Sequence, residues 1–174
     1  MIRKVLLIIG VVCLGVYAYL TLQARRQQEE LESELFKPRA ERNGPAPRRD
    51  LKEGDLFGRL EIPRLNMSVM VMEGVSSKTL RLGAGHIPGT EMAIAAHRDS
   101  FFRPLAGIQA NDTIRFMTVD GTAEYRVIFT KIVGPKDTHV IDPEPENTMT
   151  LVTCYPFYYI GPAPKRFIVQ AKKT

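Results

Sequence analysis

The chain has 174 residues, of which 44% are hydrophobic, and a formal net charge of +5. The hydrophobic share is ordinary for a folded protein, so the composition excludes a wholly disordered chain. The chain contains only two cysteines, Cys13 and Cys154. This count excludes a disulfide-stapled scaffold and any multi-cysteine zinc or iron–sulfur site.

The positive charge is concentrated towards the N-terminus. Residues 1–50 carry nine Lys/Arg against six Asp/Glu, whereas residues 51–174 carry 15 against 13. The remaining basic residues are scattered and are not interleaved with aromatic residues, as a phosphate-binding face would require. The distribution predicts an ordinary solvated surface and no nucleic-acid partner.

The N-terminal segment has the pattern of a membrane anchor. Residues 5–22 read VLLIIGVVCLGVYAYLTL and contain no charged side chain. As a helix this run would span roughly 27 Å, close to the ~30 Å of a bilayer core. A cleaved signal peptide is the alternative, but the run is long for one and no small-x-small cleavage site precedes Gln23. Residues 1–22 are therefore predicted to be an uncleaved, single-pass anchor.

The orientation of this anchor is not decided by charge, because Arg3 and Lys4 precede the run while Arg25 and Arg26 follow it. The short N-terminal tail makes an extracytoplasmic C-terminal domain the simpler insertion. The predicted location is thus the cell membrane, with the domain outside.

Residues 23–50 form a predicted stalk and linker. Residues 23–36, QARRQQEELESELF, are rich in helix formers and are expected to continue the anchor helix. Leu31 and Leu35 leave a short coiled-coil stalk open as an alternative. Residues 37–50 contain three Pro, one Gly and five Lys/Arg, which is typical of a spacer. The folded domain is expected to span residues 51–174.

The sequence of this domain indicates a mainly β fold. Short apolar runs, many rich in β-branched residues, alternate with Gly, Pro, Asn and Asp. An Asp-Gly turn over residues 119–122 predicts a hairpin, and residues 77–82 and 101–108 are predicted short helices. The spacing favours a closed or nearly closed antiparallel-rich barrel. The predicted strands are 57–62, 68–73, 92–97, 113–119, 124–133, 139–141, 149–154 and 166–171.

Two patterns that resemble ligand sites are better explained otherwise. Residues 83–89, GAGHIPG, lack the spacing and the following Lys-Ser/Thr of a phosphate loop, so they predict a turn. The three histidines, His86, His97 and His139, have neither helical pairing nor nearby cysteine ligands. We therefore predict no metal and no cofactor.

Three residues at strand ends are candidates for chemistry. Cys154 ends a strand that Pro156 stops, and a strand end can project a thiol into a cleft, although a lone cysteine is by default a small buried residue. His97 also ends a predicted strand, where a structural role and a catalytic role are equally compatible with the pattern. Arg166 opens the last strand, a position that is ordinarily a solvated strand start.

Four neighbouring residues carry weaker predictions. His86 lies in a Gly/Pro-rich turn and could border a substrate site, whereas His139 is expected to be structural. Asp99 lies two positions after His97 and could orient the imidazole or form a turn or salt bridge. Thr153 alternates to the face opposite Cys154 and could steady the site through its hydroxyl or its backbone.

These segments together resemble the sortase family. The run Thr150-Leu151-Val152-Thr153-Cys154 matches the sortase signature T-L-x-T-C. The segment IAAHRDSFFRPL at residues 94–105 is similar to the histidine segment of sortases, particularly those of class D, apart from Ala96 where many relatives carry Gly. APKRFIV at residues 163–169 is similar to the arginine strand. The order of His, Cys and Arg also agrees, and the resemblance covers about residues 55–172.

The resemblance implies an eight-stranded sortase-like β-barrel and a catalytic set of His97, Cys154 and Arg166. It further implies cleavage of an LPXTG-like sorting signal between Thr and Gly through a thioacyl-enzyme. Sorting-signal proteins are then the donor partners. Peptidoglycan or a pilin lysine supplies the acceptor amine. Thr153 and His86 are the implied substrate-side neighbours.

Two other functions remain open from the sequence. A cysteine peptidase would hydrolyse the same thioester with water, and a catalytically silent binding module could use the same barrel. The residues also leave open whether pilus assembly or wall anchoring is the task.

Overall fold

The computed structural model of this chain describes residues 2–35, 51–137 and 147–174. A single helix, α1, spans Ile2–Leu35, which confirms that the helix continues beyond the apolar run. Within these three ranges, no helix is long and apolar enough to cross a membrane. The anchor therefore stays a prediction, and the predicted spacer at 37–50 and strand at 139–141 lie outside the described residues.

The domain that follows is a barrel of β-strands with short helical connections. One α-helix, α2, spans Ser77–Leu82 as predicted, and 3₁₀ turns span Pro63–Leu65 and Arg103–Gly107. The strands in chain order are β1 (Leu56–Ile62), β2 (Met67–Glu73), β3 (Ala84–His86), β4 (Ala93–Ala95), β5 (Thr113–Thr118), β6 (Gly121–Val133), β7 (Thr148–Tyr155) and β8 (Lys165–Lys173).

The strands close on themselves in the order β1-β2-β3-β4-β7-β8-β6-β5. Two neighbouring pairs, β2–β3 and β4–β7, are parallel, and the other pairs are antiparallel. The predicted antiparallel-rich barrel is thereby confirmed. Each of these eight described strands is hydrogen bonded to a neighbour on both sides, so closure removes the sheet edges among them.

Three local predictions were wrong in detail. Part of the predicted turn at 83–89 is strand β3, whose Gly85 approaches the backbone of Gly74 so closely that a Cβ atom would lie 2.1 Å from the Gly74 carbonyl oxygen. The predicted strand 92–97 is shorter, because β4 ends at Ala95. The predicted helix 101–108 is a 3₁₀ turn at Arg103–Gly107. The first difference depends on the pairing of β3 with β2 and β4, which lie outside the 83–89 segment.

The interior of the barrel is filled by alternate residues of the strands. In β7, Met149 and Leu151 are fully buried and Thr153 is 3% exposed. Because successive side chains of a strand lie on opposite faces, Cys154 belongs to the outer face. The core and the candidate site therefore use opposite faces of the same strand.

A partly buried ion pair, in which the Arg64 side chain is 44% exposed and that of Asp112 is 6% exposed, holds the segment between β4 and β5. Both Arg64 Nε and Arg64 Nη2 donate to the carboxylate of Asp112, and Nη2 also donates to the Gly107 carbonyl oxygen at 2.6 Å. The Gln109 N–H donates to the same carboxylate at 2.8 Å. The Arg64 hydrogen bonds hold the pKa of Asp112 below its ordinary value, against the opposing effect of burial.

This lowered pKa makes a prediction for stability against pH. A carboxyl with a lowered folded-state pKa contributes stability above its ordinary pKa, and this stability is lost as the pH falls through the folded value. We expect Asp112→Asn to lower the Tm by about 4 °C at pH 7. The difference from the wild type should shrink below pH 4, as measured by thermal unfolding across pH.

The matched control is Glu124→Gln, which removes an ion pair with Arg115 whose side chains are each 48% exposed. Exposed pairs contribute little to stability, so its Tm should stay close to that of the wild type at each pH. A pH-independent difference between Asp112→Asn and the wild type would contradict the proposed role of the charge.

Candidate active site

Strand β7 places a thiol directly opposite a guanidinium. In the antiparallel pairing of β7 with β8, the register partner of Cys154 is Arg166. Directly paired residues of an antiparallel pair lie on the same face, with Cα atoms about 4.5–5.5 Å apart. The two predicted candidates from the ends of β7 and β8 are therefore neighbours on the outer face of the barrel.

The histidine segment lies along the other edge of β7. Strand β4 runs parallel to β7, and its last residue Ala95 is paired with Val152. The Ala96 N–H donates to the Val152 carbonyl oxygen at 3.3 Å. Two residues beyond the Ala95–Val152 pair, the same register leads to His97 after the end of β4 and to Cys154 in β7. His97 thus follows a strand that is still hydrogen bonded to β7.

The position of His97 differs from the prediction in one respect. It was predicted to be the last residue of a strand, but β4 ends two residues earlier. His97 is exposed, and its carbonyl oxygen accepts from the Phe102 N–H at 3.1 Å. Phe102 is fully buried, so the turn that carries the imidazole is fastened to the core while the ring stays accessible to solvent.

Arg166 is only partly buried and remains available to a ligand. Its Nη1 donates to the carbonyl oxygens of Ala163 at 3.3 Å and Lys165 at 3.0 Å. Among the described residues, none of the ion pairs involves this guanidinium. Its positive charge is therefore not neutralised by a carboxylate and could stabilise negative charge that develops beside Cys154.

Thr153 links the two strands beneath the site. Its side chain is 3% exposed, and its hydroxyl donates to the Ala96 carbonyl oxygen at 2.7 Å. This contact fits the predicted role of steadying the site through the hydroxyl. The hydrogen bond joins Thr153, the residue before Cys154, to Ala96, the residue before His97. It therefore helps to keep the distance between the thiol and the imidazole constant.

The other predicted neighbours lie less centrally. His86 is 7% exposed in β3; its Nδ1 lies 2.8 Å from a Glu73 carboxylate oxygen and its ring stacks on Phe57 at 4.4 Å. Its predicted contact with substrate stays a prediction. Asp99 is exposed in the turn after β4. His139 lies outside the described residues.

Arg98 was not among the residues predicted from the sequence. This residue is 9% exposed, and its Nη2 donates to the carbonyl oxygens of Tyr159 at 2.8 Å and Gly161 at 2.9 Å. An arginine beside an exposed histidine is usually a surface charge, so nothing in the local pattern indicated burial. Its contacts depend on the connection between β7 and β8, which is remote in sequence.

An aromatic cluster follows Cys154 in the chain and lines a groove. The rings of Tyr155, Phe157 and Phe167 have centroids 5.2–6.3 Å apart. Together with Ile132 and other apolar residues they line a groove of about 470 Å³. Stacked and edge-on rings are rigid packing units, so this cluster fixes where the chain leaves β7.

The described residues contain no group of three or more His, Cys, Asp or Glu side chains placed to hold a metal ion. Both cysteines are free thiols, Cys13 in α1 and Cys154 in β7. The arrangement brings a thiol of β7, a guanidinium of β8 and an imidazole in the turn after β4 to neighbouring parts of the barrel. These groups suit acyl transfer through a thioester.

Comparisons with known proteins identify the family of this chain. A sequence model of the Sortase domain matches residues 60–174. Sortase D of Bacillus subtilis (strain 168) is 34% identical over 129 residues, and the match covers 70% of this chain and 65% of that protein. Sortase A of Bacillus anthracis is 25% identical over 114 residues, covering 60% of this chain and 54% of that protein. The chain thus spans less than two thirds of the length of these relatives.

Solved structures share the barrel. A sortase D5 transpeptidase of Clostridium perfringens superposes with a TM-score of 0.70 at 25% identity, covering 86% of this chain and 97% of that one. A sortase C of C. perfringens, solved with the C-terminal cell wall sorting motif, has a TM-score of 0.66 at 22% identity, covering 89% and 87%. Because the domain model matches most of the chain and the barrel is shared, this chain belongs to the sortase family.

Proposed function

We propose that this chain is a cysteine transpeptidase that cleaves an LPXTG-like C-terminal sorting signal between Thr and Gly and transfers the protein to an amine. The observation that carries the proposal is the register of β7 with its two neighbouring strands. On one side, Cys154 is paired with Arg166 of β8. On the other side, β7 is paired with β4, and His97 follows β4 two residues after its end. A thiol flanked by a histidine segment and by a guanidinium that pairs with no carboxylate of the described residues has the groups that acyl transfer needs.

The substrate class is supported by a neighbouring structure. The sortase C of Clostridium perfringens that shares this barrel was solved with a C-terminal cell wall sorting motif. By analogy, we propose that a peptide of this kind lies on the outer face of β7. The backbone carbonyls of an extended peptide would then be within reach of the long Arg166 side chain.

The first half of the reaction forms a thioester. The Cys154 thiolate attacks the Thr carbonyl carbon of the sorting signal, and the carbonyl oxygen becomes an oxyanion that the Arg166 guanidinium stabilises. Collapse of this intermediate breaks the C–N bond to Gly. The protonated His97 gives its proton to the leaving amine, so the signal peptide departs with a neutral N-terminus.

The second half transfers the acyl group. A primary amine, from peptidoglycan or a pilin lysine, attacks the thioester carbon and loses a proton to the now neutral His97. The C–S bond then breaks, the new amide bond is complete and the Cys154 thiolate is restored. One proton therefore leaves the imidazole with the departing amine and another, from the acceptor amine, replaces it, so that His97 and Cys154 return to their starting states without a cofactor.

The identity of the nucleophile is tested with the two cysteines of the chain. We expect Cys154→Ala to lower turnover of a fluorogenic LPXTG-type peptide by at least about 10³-fold, because the thioester cannot form. Its Tm should change little, since Cys154 is only partly buried. Cys13→Ala, which removes the exposed thiol of α1, is the matched control and should keep full activity.

Equal turnover by Cys154→Ala and Cys13→Ala would show that Cys154 is not the nucleophile. Mass spectrometry provides a second reading. The wild type should carry a thioacyl adduct on Cys154 after brief exposure to the peptide.

The partition of the thioester separates transpeptidase from peptidase. With the wild-type chain and a fixed peptide concentration, added amine should give an amide product that increases with amine concentration at the expense of the hydrolysis product. Chromatography with mass detection measures both products. Hydrolysis alone at every amine concentration would favour the cysteine peptidase. No product and no thioacyl adduct would favour the silent binding module.

We further propose that residues 1–22 anchor the chain in the cell membrane with the barrel outside. The support is the uncharged run of residues 5–22 and the basic residues that flank it. A charged residue at the centre of such a run costs about 2.5–3.5 kcal/mol on insertion. We therefore expect the double variant Val12→Arg/Leu14→Arg to leave the membrane fraction on alkaline extraction, while the wild type stays.

The control for this measurement carries the same two charges outside the run. Gln27→Arg/Gln28→Arg should remain with the membrane, because both positions follow the apolar segment. Release of the wild type by alkaline carbonate would contradict the anchor. It would leave the catalytic proposal unaffected.

A further inference from the structure

Arg98 is a buried cation whose hydrogen bonds within the described residues go to backbone oxygens. It is 9% exposed, and its Nη2 donates to the carbonyl oxygens of Tyr159 at 2.8 Å and Gly161 at 2.9 Å. Its guanidinium carbon lies 5.8 Å from the centroid of the Tyr159 ring. Within the described part of the chain, none of the ion pairs includes Arg98. Two charge-assisted hydrogen bonds and one ring contact therefore hold this charge.

The carbonyl oxygens that Arg98 binds lie in the connection between β7 and β8, residues 156–164. This connection begins two residues after Cys154 and ends two residues before Arg166. Its tip is open to solvent, since Tyr158 is 77% exposed and Ile160 is 97% exposed. A tip with so little burial gains little order from packing, so the two hydrogen bonds from Arg98 help to hold it, together with the contact of Arg103 with the Tyr158 ring.

The location of Arg98 in the chain gives this contact a consequence for the site. Arg98 directly follows His97, and the backbone at this point is held to β7 by the Ala96 N–H and to the core through Phe102. A side chain that reaches from here to Tyr159 and Gly161 joins the histidine segment to the connection that separates Cys154 from Arg166. The three candidate catalytic residues are thereby linked through one guanidinium.

One nitrogen of Arg98 is left without a partner. Nη1 is buried and makes no hydrogen bond, one of two such buried side-chain atoms among the described residues. An unmade hydrogen bond on a buried charged group is costly. The guanidinium is therefore held in a position where it donates to two carbonyl oxygens of the β7–β8 connection, although its own Nη1 makes no hydrogen bond there.

We propose that Arg98 is a positioning residue that fixes the β7–β8 connection so that Arg166 stays beside Cys154 during the reaction. This inference rests on the proposed transpeptidase function. Arg98 does not contact the reacting atoms itself. It acts on the reacting atoms through the backbone of residues 156–164. This backbone determines where β8 begins, and therefore the position of Arg166.

The test compares two arginines that stack on adjacent tyrosines of the same connection. Arg98→Met removes the hydrogen bonds to the carbonyl oxygens but keeps most of the side-chain volume. Arg103→Met is the matched control, because the Arg103 guanidinium lies 5.5 Å from the Tyr158 ring but the residue is exposed. We expect Arg98→Met to lower kcat by about 10–100-fold with a less than threefold change in KM, since small misplacements of catalytic groups have effects of this order. Arg103→Met should stay within twofold of the wild type.

A double-variant measurement separates positioning from general destabilisation. If Arg98 acts through Arg166, then adding Arg98→Met to an Arg166→Ala chain should lower the remaining activity by less than threefold. Independent losses that multiply in the double variant would overturn the proposal. So would kinetic equality of Arg98→Met and Arg103→Met in a chain whose wild type is active.

Failure of the proposed function itself would look different, because the wild type would then form no thioacyl adduct and no product. Folding is checked by thermal unfolding of each variant. If Arg98→Met does not fold, Arg98→Lys keeps a cation with a shorter reach and should show an intermediate kcat with an unchanged fold. Loss of the fold in both variants would overturn positioning in favour of a purely structural role.

Discussion

Strand β7 is hydrogen bonded to β4 on one side and to β8 on the other, and the arrangement of the site follows from this pairing. The parallel register with β4 leads from Ala95 to His97, and the antiparallel register with β8 pairs Cys154 with Arg166. Because the side-chain period of a strand is two, a slip of one residue in either register would move a member of the set to the opposite face. The chemistry of this sortase therefore depends on backbone hydrogen bonds as much as on its side chains.

One face of β7 contributes to the stability of the barrel, and the other face carries the thiol. Met149 and Leu151 contribute to the core, and the hydroxyl of buried Thr153 ties β7 to Ala96. The outer face leaves the thiol partly open. A rigid barrel thus presents reactive groups that come from strand ends and adjoining turns, the usual division between scaffold and functional loops.

Much of this could be predicted because the signals are local. Alternating apolar runs between turn residues indicated most of the strands, and the Ser76 cap with its hydrogen bond to the Thr79 N–H agrees with the predicted start of α2. Strand β3 was missed because a Gly-rich segment has no strand signal of its own. It becomes a strand by pairing with β2 and β4, which its small residues allow.

Features that depend on residues close together in the chain could be predicted from the sequence. Features that depend on residues far apart in the chain were decided by the tertiary structure. The sequence alone determined the mainly β fold, because the pattern of strands and turns lies in neighbouring residues. The T-L-x-T-C motif and the arginine strand that follows it indicated the chemistry, because each is a short continuous segment. Only the tertiary structure decided that Cys154 faces Arg166, that His97 lies beyond the end of β4, and that Arg98 is buried against the β7–β8 connection. These arrangements depend on hydrogen bonds between residues 12 to 63 positions apart in the chain, and no local pattern records such contacts.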